Sequence, residues 1–353
     1  MLVSQIETPA LILDMDRFES NVRLMKDFTE SIGVKLRPHY KSHKCTTIAH
    51  MQMEAGAKGL CCAKESEASD LVQAGIDDVL IANQVVDPGK ITRVATLAHC
   101  CHLMVCVDSA QNIEDLNAAA SLQKSTIHCL IEYNVGMNRC GVRSYEQCFE
   151  LAKQVEKAPR LSFEGIQAYA GHIAHLEDYT KRQSHSEEIE RDLSGLKKYL
   201  QERGLSVKEI SGVSTGAAFM RTPNSIYTEI QAGSYIFMDT SYGALNLDFQ
   251  NALFVLSSIL GIRNGRMIFD TGTKSMGMDQ RRPVFFEHPD VTVQFNEEHC
   301  SIPEKSGCHQ IGDTLKLIPG HCCTTVNLHD FIYFTREEKV VDRVPITSRG
   351  KSL

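Results

Sequence analysis

Nowhere in these 353 residues does an apolar run reach the length of about 18 that a membrane-spanning helix needs. The N-terminus, Met1-Leu2-Val3-Ser4-Gln5-Ile6-Glu7-Thr8-Pro9, has no basic segment followed by an apolar one, so a cytoplasmic location is expected. Basic clusters are missing too. With 37 Lys and Arg against 44 Asp and Glu, the net charge of -7 argues against nucleic acid or an anionic membrane as the main partner, although a local basic pocket for a small anion stays open. The chain holds 13 cysteines but no C-x-x-C spacing, and several stand in adjacent pairs such as Cys61-Cys62, Cys100-Cys101 and Cys322-Cys323. Neither a disulfide framework nor a zinc finger is indicated, and most of these cysteines are expected to be small buried hydrophobes. G-x-G-x-x-G, a P-loop and a low-complexity linker are also absent.

What is present is a regular beat. At 42% apolar and 23% charged, the chain is ample for a large core. Ala10-Leu11-Ile12-Leu13 reads as a strand, and Asp14 or Asp16 can cap a helix with Phe18, Val22, Met25 and Phe28 on one stripe. Strand candidates then begin near Val34, Gly59, Asp78, His102, Thr126, Leu161, Glu209 and Tyr227, with helical stretches such as Glu65 to Ala74 and Asp178 to Arg203 between them. Eight strands alternating with helices predict an α/β fold, a (β/α)8 TIM-type barrel. From about Leu247 the pattern changes to strand-like runs around 252–256, 266–269, 291–295, 314–318 and 331–334. The expected division is a barrel over 13–246 and a C-terminal, mostly β domain over 247–353 joined by the N-terminal strand 1–12.

Polar and glycine-rich signals fall directly after the predicted barrel strands, where the loops of such a barrel build its active face. Lys41, in Arg37-Pro38-His39-Tyr40-Lys41-Ser42-His43-Lys44, follows the first strand; Asn134, Asn138 and Arg139 follow the fifth, and Tyr169 the sixth. Ser214-Thr215-Gly216 and Gly233-Ser234-Tyr235 end the seventh and eighth, where small residues let backbone N–H groups approach a phosphate. Pyridoxal phosphate fits this set, with phosphate on the glycine loops, aldehyde on Lys41, and ring between Tyr169 and Arg139. His39, His43, His172 and His175 read as satisfied polar residues rather than catalysts. Near the other end, Pro319-Gly320-His321-Cys322-Cys323 sets a His and a Cys two apart, which on a strand would share a face and grip a metal.

These residues resemble the D-threonine aldolase and D-serine dehydratase family, pyridoxal-phosphate enzymes of the alanine-racemase fold type. The resemblance runs from Thr8-Pro9-Ala10-Leu11 to Asn327-Leu328-His329-Asp330, and its carriers are the Lys41 segment, Gln167-Ala168-Tyr169, the stretch from Gly233 to Asp239, Glu297-Glu298-His299 and the His321 segment. It implies that Lys41 forms the Schiff base, that Arg139 lies near the cofactor ring oxygen and Tyr169 near the ring nitrogen, and that His321 and Cys323 bind a divalent ion touching the substrate's 3-hydroxyl. It also implies a homodimer. Mixed N and S ligation favours zinc over magnesium, with other ions such as manganese open.

Two lyase reactions on a 3-hydroxy D-amino acid follow. Loss of water gives a keto acid and ammonia; retro-aldol cleavage gives glycine and an aldehyde. Within the resembled family, aldolases typically show His-x-Asp at the metal position and dehydratases His-x-Cys, so Cys323 favours a dehydratase of D-serine or 3-hydroxy-D-aspartate, with the aldolase as rival. The surrounding Thr325-Val326-Asn327-Leu328-His329-Asp330 looks aldolase-like. A non-catalytic pyridoxal-phosphate carrier would need only the barrel, and a racemase would want a second base and no metal.

Overall fold

The computed structural model describes residues 1–304 and 307–353. Two compact units are formed, one from Met1–Met25, Ser42–Thr47 and Ser234–Gly350, the other from Lys26–Lys41, Ile48–Gly233 and Lys351–Leu353. Among the described residues no helix is long and apolar enough to cross a membrane. The chain opens with β1 (Ala10–Asp14) and the helix Met15–Ile32. Asp14 is the cap, its Oδ1 accepting the backbone N–H of Arg17 at 3.1 Å, and Phe18, Val22 and Met25 are buried along one stripe as the 3.6-residue period requires.

The larger unit carries eight parallel strands: β2 (Lys35–Leu36), β3 (Leu60–Cys62), β4 (Asp78–Ile81), β5 (His102–Val107), β6 (Ile127–Glu132), β7 (Leu161–Ala168), β8 (Glu209–Gly212) and β9 (Glu229–Ile230). Each begins within two residues of the position expected from sequence. They pair in the order β2-β9-β8-β7-β6-β5-β4-β3, and the parallel bridge between His39 and Cys61 joins the two ends of that row into a ring. Helices such as Glu65–Gln73 and Tyr179–Gln201 lie between strands. Cys61, Leu80, Met104, Cys106 and Leu130 pack as one buried apolar cluster, the small hydrophobes the cysteine usage suggested.

In the other unit the strands are β10 (Leu253–Arg263), β11 (Arg266–Phe269), β12 (Val284–Phe285), β13 (Gln294–Phe295), β14 (Cys300–Pro303), β15 (Thr314–Ile318), β16 (Phe331–Arg336) and β17 (Lys339–Pro345). β1 lies between β10, antiparallel, and β16, parallel, and Ile12, Phe254, Leu256 and Ile318 share its core with Val3 and Ile6. The chain passes into this unit at Ser234, not near Leu247, because backbone hydrogen bonds tie the intervening segment to the β structure: Ala252 N–H to the Phe237 carbonyl and Thr240 N–H to that of Pro319. β12, β14 and β17 were not legible; β17, Lys-Val-Val-Asp-Arg-Val-Pro, buries only Val344 and has no clean alternation.

At the base of the barrel Arg37 is fully buried, its Nε donating to Glu229 Oε1 at 2.9 Å and its NH1 to Asp78 Oδ1 at 2.7 Å. Glycine at position 59 makes room: a Cβ there would sit 2.6 Å from the guanidinium and 2.5 Å from the Asp78 carbonyl oxygen. Burial opposes ionisation of Asp78, but hydrogen bonds from His102 and Arg37 outweigh it and hold the carboxyl down, to about 2. Removing the cation strands a buried carboxylate, so Arg37→Ala is expected to cost about 3–5 kcal/mol in chemical denaturation. A loss below about 1 kcal/mol would show that the pair is not what holds the barrel base.

Candidate active site

Lys41 lies in the single tight turn Tyr40–Ser42 that follows β2. Its ammonium stands 5.7 Å from the centre of the Tyr169 ring, and the Arg139 guanidinium is likewise 5.7 Å from that ring. Among the described residues no carboxylate pairs with Lys41. The three side chains line one cavity of about 190 Å³ at the C-terminal ends of the strands, together with His39, Asn83 and Gln231. His39 is 8% exposed and its Nδ1 accepts the Lys41 backbone N–H at 3.4 Å. Thus Lys41, Arg139 and Tyr169, which the sequence placed after three different strands, converge.

The loop after β8 enters under strain: Val213 has φ of +70°, an unfavourable state for a β-branched residue. Immediately beyond it, Ser214 Oγ and Thr215 Oγ1 are buried with no hydrogen-bond partner among the described residues, and Gly216 is buried with them. Two orphaned hydroxyls side by side are costly unless a ligand satisfies them. Gly233 closes the same unit, whereas Ser234 and Tyr235 open the other. The Ser234 hydroxyl faces Cys323 Sγ at 3.8 Å, and Tyr235 is fully buried with its ring 5.7 Å from that of Phe249, so its side chain serves the core.

His321 and Cys323 do not lie on a strand, contrary to the expectation from their spacing. β15 ends at Ile318, and His321, in extended conformation, caps the short helix Cys322–Val326 that contains Cys323. Gly320 permits this exit, because a Cβ would lie 1.9 Å from the Arg281 carbonyl oxygen. Two acidic residues to which the sequence assigned no role hold the loop. Asp239 is fully buried and accepts the Cys322 N–H at 2.9 Å and the Tyr242 N–H at 2.9 Å. Asp279 places Oδ2 2.8 Å from His321 Nδ1 and Oδ1 2.7 Å from Thr324 Oγ1. Burial opposes charge on His321, but the Cys323 sulfur and then the Asp279 carboxylate outweigh it and push its pKa up to about 9. An imidazole and a thiol so placed form a donor pair suited to a borderline ion such as zinc, with the Asp279 carboxylate orienting the imidazole.

Comparison with known proteins matches residues 13–241 to the family described as alanine racemase, N-terminal domain, and 252–335 to the putative serine dehydratase domain. The chain is 37% identical to a D-threonine aldolase from Arthrobacter sp and 36% identical to a 3-hydroxy-D-aspartate aldolase from Paracoccus denitrificans, in each case over 99% of this chain and 94% and 93% of the relative. The crystal structure of D-threonine aldolase from Filomicrobium marinum superposes with a TM-score of 0.96 at 36% identity, covering 99% of this chain and 98% of that one. The chain belongs to the D-threonine aldolase and D-serine dehydratase family. It is therefore a pyridoxal-phosphate-dependent lyase with the alanine-racemase fold. A D-threo-3-hydroxyaspartate dehydratase from Delftia sp. is more distant, at 26% identity over 91% of this chain and 92% of its own.

The lyase cavity fits that cofactor on its own evidence, since it offers an uncommitted amine and a flanking aromatic ring, and the two orphaned hydroxyls suit a phosphate. Sequence reasoning missed Asn83 and Gln231; the latter is visible only in structure, where Gln231 Nε2 donates to Gln167 Oε1 at 2.7 Å and to Ser211 Oγ at 2.6 Å. Because the Thr215 hydroxyl finds no partner among the described residues, Thr215→Val should leave the melting temperature of the cofactor-free protein unchanged. Retention of pyridoxal phosphate, followed by equilibrium dialysis, should weaken about 10- to 100-fold, as expected for one lost hydrogen bond to a charged oxygen. Unaltered retention would remove Thr215 from the phosphate loop.

Proposed function

We propose that this lyase is an aldolase of 3-hydroxy D-amino acids, releasing glycine and an aldehyde, with pyridoxal phosphate held through Lys41 and a divalent ion, zinc by donor softness, held by His321 and Cys323. The observation that carries this reading is the gradient of identity: 36% and 37% to aldolases over 99% of the chain, against 26% to a dehydratase over 91%. It reverses the preference drawn from Cys323 alone.

When bound, the cofactor disperses the electron pair left on the substrate's α-carbon, which both possible cleavages require. The chain supplies the rest. In this reading Ser214, Thr215, Gly216 and Gly233 hold the phosphate, with Ser234 and the Tyr235 backbone extending the loop, while Arg139 and Tyr169 fix the ring. Lys41 would hold the aldehyde, and its amine, beside Tyr169 and Arg139, would be the group that moves a proton at the substrate's α-carbon. A divalent ion on His321 and Cys323 would act as a Lewis acid toward a hydroxyl oxygen. Asp279, at His321 Nδ1, leaves Nε2 for that ion, the usual carboxylate-histidine-metal arrangement. In the cleavage the hydroxyl proton would pass to solvent, the Cα–Cβ bond would break with its electron pair left on Cα as the aldehyde C=O forms, and Cα would take up a proton from solvent or from the Lys41 ammonium.

The second reading, dehydration, keeps one specific support, the thiol of Cys323 where resembled aldolases carry a carboxylate. Product analysis with D-threonine, 3-hydroxy-D-aspartate and D-serine, with and without chelator, separates the two. Glycine with acetaldehyde or glyoxylate is expected, lost on chelation and restored by Zn²⁺. Ammonia and a keto acid without glycine would establish the dehydratase instead.

A further inference from the structure

We propose that His102, His128 and Glu164 form a second transition-metal site, of the class that takes Zn²⁺, at the N-terminal end of the barrel, away from the strand ends that bear Lys41, Arg139 and Tyr169. One donor atom of each lies within 4.8 Å of the others. Zinc bonds to nitrogen and oxygen run about 2.0–2.2 Å, so two donors on one ion can stand up to about 4 Å apart, and side-chain rotation closes the difference.

The backbone is built to bring these groups together. His102 and His128 are the first and second residues of β5 and β6, and their rings lie 4.1 Å apart, centre to centre. Glu164 comes from a bulge in β7: Cys129 pairs with Phe163 and Leu130 with Gly165, leaving Glu164 as the extra residue. Gly165 is required there, with φ of +153° and a would-be Cβ 1.8 Å from the Glu209 carbonyl oxygen. Bulges of this kind re-aim a side chain, and this one sets Glu164 Oε1 2.9 Å from His128 Nδ1.

An ion-pair plug alone accounts poorly for two imidazoles set so close, their rings tilted by 50°. Protonating both would set two cations against each other, whereas two neutral rings offer two lone pairs to one ion. Their outer partners follow the pattern that orients metal ligands: Asp78 Oδ1 is 3.4 Å from His102 Nδ1, while Ser162 Oγ and Lys208 Nζ donate to Glu164 at 2.8 and 3.0 Å. The surrounding fixed charges leave room for a cation, with Asp78, Glu164, Glu209 and Glu229 against Arg37, Lys58 and Lys208. The His102 side chain is 40% exposed, which gives an ion entry and water its remaining positions. Two nitrogen donors select a transition ion over Mg²⁺ or Ca²⁺. Bound there, the ion would tie β5, β6 and β7 together.

Zinc titration of chelator-treated holoenzyme by calorimetry tests this, in a His321→Ala/Cys323→Ala background that removes the other candidate ligands. One equivalent of Zn²⁺ is expected to remain, and adding His102→Gln and His128→Gln should weaken it about 100-fold or more. Glu164→Gln, which keeps the side chain's size, is the second variant and should weaken it too, with circular dichroism showing both proteins folded. No zinc bound in the background protein, or an equivalent that survives these substitutions, would overturn the site.

Discussion

Arg37, sealed inside the barrel between Glu229 and Asp78, is the contact on which the rest depends. It joins the strand that leads to Lys41 with the first residues of β9 and β4, strands that are not neighbours in sequence. From Glu229 the network continues upward, with Ser211 Oγ donating to Glu229 Oε1 at 2.5 Å and Gln231 reaching Ser211 and Gln167. Gln167 and Gln231 line the lysine cavity, so one continuous set of hydrogen bonds runs from the barrel base to its active face. A half-satisfied network of this kind would be worse than an apolar core, which is why its geometry must be held closely.

Chemistry and support are thereby separated along the strands. The C-terminal ends carry an amine, a guanidinium and unpartnered hydroxyls, all poorly suited to stability and well suited to a cofactor. The N-terminal ends carry ion pairs such as Arg37 with Glu229 and Asp78. In the β unit the same division holds locally: Asp239 holds the Cys322 backbone, Asp279 holds the His321 ring, and Gly320 lets the loop pass Arg281, so that His321 and Cys323 are fixed from both sides.

The barrel was legible because its strands are mostly buried apolar runs set at regular intervals, and Lys41, Arg139 and Tyr169 follow from where such strands end. Strands with mixed or exposed faces, such as Lys339–Pro345, leave no such trace. The His321–Cys323 pair was legible as a donor pair but not as a helix start, since i, i+2 spacing on a strand and a capping turn can look alike when Pro-Gly precedes them. Asp279 could not be read at all; it meets His321 across 42 residues. The choice between aldol cleavage and dehydration rested on one side chain, Cys323, against the weight of the entire chain.

The chemistry of the barrel turns on which lysine holds the cofactor. Borohydride reduction of the holoenzyme followed by peptide mapping reads that directly: a pyridoxyl group on Lys41, within His39-Tyr40-Lys41-Ser42, is the result expected. The label on Lys35, Lys44 or Lys64, or on no lysine of the barrel, would contradict it.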